Sequence, residues 1–272
     1  MPYPRAYLAL LGLIPLTALA FWPGYFSRLG STSFLVHLHG ISASLWLLML
    51  TTQSWLAHHR GLRTHRTTGR YISPLVVTAF LIGGLTMLKA ISIRTHSPEP
   101  NMMHVYGSGL ALLDVIAVTG FAWLYHGALR HRGQVQLHAR FMLATVLLLL
   151  SPIFARLLVM HFPPLIIRGP EDLHLFGIAV QLANFIALAI AVSLFCTAPR
   201  WGRPFAVVAA LVITQAIAFQ WLTELPPWRW LFAAWADTPT LALVALGLIA
   251  GTLLTWHALR RQPAREQLTA AT

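Results

Sequence analysis

The chain has 272 residues, of which 57% are hydrophobic and only 10% charged, against roughly 25% charged in ordinary soluble domains. A mean hydropathy of +0.67 with apolar runs of about 20 residues predicts an all-α, polytopic membrane bundle and argues against a soluble domain. The formal net charge of +12 does not call for a nucleic-acid partner: the arginines are scattered over short segments between apolar runs and form no basic face. Anionic lipid headgroups are their natural counter-ions.

Eight spans are expected, approximately 6–26, 33–56, 71–93, 104–126, 138–160, 173–197, 205–223 and 239–259, in a single integral-membrane domain over 1–272. In the first, Arg5, an apolar core and Ala18-Leu19-Ala20 resemble a signal peptide. Phe21, Trp22, Tyr25 and Phe26 follow at once and read instead as the aromatic belt of an uncleaved helix.

With the N-terminus inside, the inner segments hold thirteen arginines (Arg5, Arg60, Arg63, Arg66, Arg70, Arg130, Arg132, Arg140, Arg200, Arg203, Arg260, Arg261, Arg265). The outer loops hold four, Arg28, Arg94, Arg168 and Arg229. That asymmetry places both termini in the cytoplasm, and the expected location is the bacterial inner (plasma) membrane. The outer loops are proline-rich at Ser97-Pro98-Glu99-Pro100, Phe162-Pro163-Pro164 and Leu225-Pro226-Pro227-Trp228, where proline caps spans and stiffens crossings.

On the second span, His39, Ser42, Trp46, Met49 and Gln53 recur every three or four residues and form one polar face that must point into the bundle. His37 lies on the opposite side. Lys89 in the third span, Asp114 in the fourth and Arg156 in the fifth are intramembrane charges, each costly unless paired or lining a wet cavity. Asp114 is expected about 15 Å below the outer end of its span and Arg156 about 6–8 Å below that of its own. Arg156 is the first candidate partner for Asp114, Lys89 the rival. Ser151-Pro152 predicts a kink beside Arg156. The lone Cys196 rules out an intrachain disulfide and a cysteine metal cage. No hydrolase, zinc-protease or nucleotide-loop motif has its required context.

The thirteen histidines fall mostly into an outer and an inner layer. The inner ones read chiefly as interfacial polar anchors. A weak repeat orders His39, His58 and His65-Arg66 in one hairpin, then His104, His126 and His138-Ala139-Arg140 in the next.

Three segments resemble a family of uncharacterised bacterial polytopic inner-membrane proteins. These are His37-Leu38-His39-Gly40 with Trp46, Gln53 and His65-Arg66-Thr67-Thr68-Gly69; Leu113-Asp114; and His138-Ala139-Arg140-Phe141-Met142-Leu143-Ala144-Thr145 running on to Arg156. The resemblance spans about residues 20–160. The chain departs from it at Thr67-Thr68, where the family more often has an apolar residue, and in its His58-His59 pair. It implies that His39, Gln53, His65, Arg66, Asp114, His138, Arg140 and Arg156 matter together, but implies no activity.

Three functions compete. A redox or metal protein would bind haem b between His39 and His104, or a transition metal on His39, His104 and His161, with His58 or His59 facing His126 at the inner side. A proton-coupled carrier of a small anion would use Asp114 as the proton-exchanging group, with Arg156 and Lys89 attracting the anion. A non-catalytic complex subunit would use these groups as helix–helix glue.

Overall fold

The computed structural model describes residues 2–59, 61–98 and 101–260. Arg60, Glu99, Pro100, Arg261 and Arg265 lie outside the described residues. Among the described residues the chain is all-helical with no strand, and seven helical segments are long and apolar enough to cross a membrane. The chain is therefore a multi-pass membrane protein.

In chain order the helices are α1 (Ala6–Phe21), α2 (Phe34–His58), α3 (Leu62–Thr95), α4 (Met103–Arg130), α5 (Val135–Leu147), α6 (Leu150–His161), α7 (His174–Thr197), α8 (Arg203–Ile217), α9 (Pro226–Asp237) and α10 (Thr240–Arg260). α5 and α6 together make up one of the seven segments long and apolar enough to cross. α1, at 16 residues, is shorter than the seven crossing segments. It packs on α2 and α6 and buries Leu10, Leu13 and Ala20.

Four features depart from the expected spans. α3 starts at Leu62 rather than Tyr71, so His65 and Arg66 ride on the helix instead of a loop; charged residues continue a helix into water where lipid no longer demands apolar ones. The expected kink at Ser151-Pro152 falls earlier, at Leu148–Leu149. Proline lacks an N–H and its ring displaces the carbonyl four residues upstream, which is that of Leu148. α8 runs on into a π turn, Ala218–Leu222.

The fourth departure is α9, which occupies an expected proline-rich loop. Pro226 and Pro227 open it, the position where a missing N–H costs nothing. Trp228, Phe232 and Trp235 then lie on one face against α3 and α4. Trp235 Nε1 donates to Leu85 O (3.1 Å), Ser92 Oγ to Phe232 O (2.7 Å) and Trp228 Nε1 to Ser108 Oγ (3.0 Å). Trp230 on the opposite face is 74% exposed, as an interfacial anchor should be. Lys89 Nζ caps the far end, donating to Ala236 O (2.9 Å) and Thr238 O (2.5 Å), where the helix dipole favours a cation.

The core runs from α2 through α3, α4, α5, α7 and α8 around Trp46, Phe80, Phe121, Tyr125, Phe141 and Phe205. Trp46 is fully buried, meets Phe121 and Tyr125 edge-on, and donates to Thr145 Oγ1 at 3.2 Å. Tyr125 and Ser73 close the same layer with a 3.0 Å hydroxyl pair.

Candidate functional site

The polar face expected on α2 does point inward: Ser42, Trp46 and Gln53 are buried. α2 and α3 approach so closely at Gly83 that a Cβ there would sit 2.9 Å from His39 Cα and collide with Ser42 Oγ. Only glycine permits this crossing. It presses His39 against the Gly83 carbonyl and leaves its Nδ1 sealed without a partner. His37, on the other side of α2, faces the segment that precedes the helix. Its Nε2 donates to Leu29 O (3.1 Å), so its Nδ1 accepts from the Tyr25 hydroxyl (3.2 Å). Burial pushes Tyr25 above the usual phenol range, which keeps that donor proton in place.

Arg156 on α6 lies within electrostatic reach of His39. Its guanidinium carbon stands 4.3 Å from the centroid of the Phe21 ring, and Nη1 donates to Pro152 O at 2.9 Å. No carboxylate among the described residues neutralises it. Among the described residues the sole ion pair within 4.0 Å is the exposed Arg229–Glu224. Asp114 therefore makes no contact pair with Arg156 or with Lys89, which is committed to the end of α9. The Oδ2 of Asp114 is sealed from solvent and unpaired. Beside it, Gln215 Nε2 donates to Leu113 O at 3.0 Å.

The expected outer histidine site does not assemble. His104 is exposed and held by its own loop: Nε2 bonds Ser97 O (2.8 Å) and Nδ1 accepts from Asn101 N (3.4 Å). His161 is exposed at the end of α6. No group of three His, Cys, Asp or Glu side chains gathers among the described residues. Neither a haem on His39 and His104 nor a metal on His39, His104 and His161 is supported among the described residues. His126 pairs with His257 (3.0 Å, rings stacked) rather than with His58 or His59.

At the arginine-rich end the resemblance segments do converge. The Gln53 amide meets the Thr68 hydroxyl. With its oxygen toward Gly69 N–H and its nitrogen toward His65 O, both at 3.2 Å, each end is satisfied. His65 faces His138 at 6.4 Å between ring centroids, and His138 Nδ1 donates to Ala128 O at 2.8 Å. Arg140, 5% exposed, holds Gln136 and lies over the Tyr3 ring, while Arg66 is exposed.

No family model, curated protein or solved structure matches the chain. The site stands on its geometry alone. That geometry offers an uncompensated guanidinium within electrostatic reach of a sealed imidazole nitrogen, and separately a sealed carboxyl oxygen on Asp114 that no contact among the described residues joins to them.

Proposed function

We propose that this protein is a proton-linked carrier of a small anion, with Arg156 as the anion-binding cation and Asp114 as the proton-exchanging group. The observation that carries the reading is Arg156 itself. A charge inside a bundle costs several kcal/mol unless it is paired, and this one has a carbonyl and an aromatic ring but no counter-ion among the described residues. A planar fork of five donors with one engaged suits a carboxylate or another oxyanion. His39 and Phe21 frame the same place. Asp114, with no partner for Oδ2, is a carboxyl able to take up and release a proton as the anion comes and goes.

The arginine asymmetry supports cytoplasmic termini in a plasma membrane, with the anion site toward the outer face. α1 then serves as an eighth crossing, which an even span count with both ends on one side requires. The α5–α6 break supports alternating access, because an interrupted crossing next to a binding residue is where such bundles move.

Protein reconstituted in liposomes and given inward gradients of small carboxylates, phosphate or sulfate should show anion-driven proton entry with at least one of them. Asp114→Asn should fold normally and abolish the proton movement. Proton entry that survives this change, or none with any anion of the panel, would refute the reading.

A further inference from the structure

We infer that a cleft between α7 and α8 is a binding site for a lipid-soluble quinone. Two cavities of about 480 and 410 Å³ adjoin along the cleft, with Gln181 and Gln220 lining both. The upper part lies against the start of α4 and α7. The deeper part is walled by Phe185, Ile213 and Trp221, all exposed on the bilayer-facing side of the bundle. A ligand therefore enters from the membrane.

Asn184 supplies the chemistry. It lines the deeper cavity and is 2% exposed. Its Oδ1 accepts from Ser151 at 2.7 Å, while its Nδ2 has no acceptor among the described residues. A buried donor left unpaired costs about 1–3 kcal/mol; Nδ2 is sealed beneath the side chains that wall the cleft, so a ligand oxygen relieves that cost once those side chains shift aside. Asn184 is ten residues into α7, about 15 Å below its start. Phospholipid ester carbonyls stay at the interface and do not reach this depth. The acceptor must belong to an apolar molecule that carries its carbonyl into the hydrocarbon, as a quinone does.

The rest of the cleft fits such a head. Gln220 offers a second amide for the opposite carbonyl, and Phe185 and Trp221 offer ring faces. Gln220 and Trp221 both sit in the π turn Ala218–Leu222, a distortion frequent at functional sites. The inference is independent of the anion-carrier reading, and no electron transfer is part of it.

The test uses full-length protein in lipid nanodiscs, with ubiquinone-1 as probe and equilibrium dialysis corrected for partition into lipid. Binding should saturate. Asn184→Leu should weaken it about tenfold, the loss of one buried hydrogen bond. Ser151→Ala, which spares Nδ2, should leave binding nearly unchanged. Ile213→Trp fills the cleft from its lipid-facing wall without touching Asn184 and should abolish binding; it carries the test if Asn184→Leu misfolds. Uptake that rises linearly with quinone, or that is equal in wild type, Asn184→Leu and Ile213→Trp, overturns the proposal. So does a phospholipid that co-purifies in the cleft and resists displacement by ubiquinone-1.

Discussion

The guanidinium of Arg156 lies 4.3 Å from the ring centroid of Phe21 and, among the described residues, has no carboxylate within 4.0 Å. A short helix that falls below the length of the seven crossing segments thus supplies one wall around the intramembrane arginine. Phe21→Leu removes the ring but keeps an apolar side chain. It should weaken anion binding about three- to tenfold, in line with a partly desolvated cation–π contact of about 1 kcal/mol, with little change in thermal stability. A titration of the purified variant with the transported anion measures this.

Charge reversal separates the carrier from the helix-glue reading. Were Asp114 and Arg156 a structural pair, Asp114→Arg combined with Arg156→Asp would recover the stability lost by either single change. They are not in contact, so the double variant should be no more stable than the less stable single one, by thermal unfolding in detergent.

Gly83→Ala tests the α2–α3 crossing that sets His39. Its methyl would meet the His39 Cα at 2.9 Å as well as the Ser42 hydroxyl. The helices must part, at about 1–3 kcal/mol for overpacking. Melting temperature should fall, and anion binding with it, whereas Gly12→Ala, with open space around its Cβ, should leave both unchanged.

Lys89→Met should loosen α9 while leaving the crossings intact. The change removes two charge-assisted bonds to the carbonyls at the end of that helix, each worth about 1.5–3 kcal/mol. Faster amide exchange confined to 226–238 is the expected signature; unchanged exchange there would show that Trp228, Phe232 and Trp235 hold the helix alone.

Much of this fold is legible in the sequence because lipid imposes a simple demand: about 20 apolar residues per crossing. The inward face of α2 follows from spacing alone, and Ser42, Trp46 and Gln53 are buried as it requires. The helix α9 escapes because Pro226-Pro227 reads as a loop, although the four- and three-residue steps from Trp228 to Phe232 to Trp235 carry a helical face. The Leu148–Leu149 break is displaced because proline acts on the turn before it.

The site was legible only in its residue types. Position along a helix gives depth, but whether Asp114 and Arg156 touch depends on side-chain direction and on competitors such as the Pro152 carbonyl. His104 shows the same limit: its depth suits a ligand, yet its own loop engages both ring nitrogens. The convergence of Gln53, His65 and His138 depended on α3 extending to Leu62, beyond its apolar stretch.

The most direct test of the central claim is a thermal-unfolding titration of wild type, Arg156→Lys and Arg156→Gln with the panel anions at constant ionic strength. A ligand bound only by the folded state at a hundred times its Kd adds about 2.7 kcal/mol of stability. Wild type should be stabilised by at least one anion, Arg156→Lys partly, and Arg156→Gln not at all. Equal stabilisation of wild type and Arg156→Gln would contradict an anion site at Arg156.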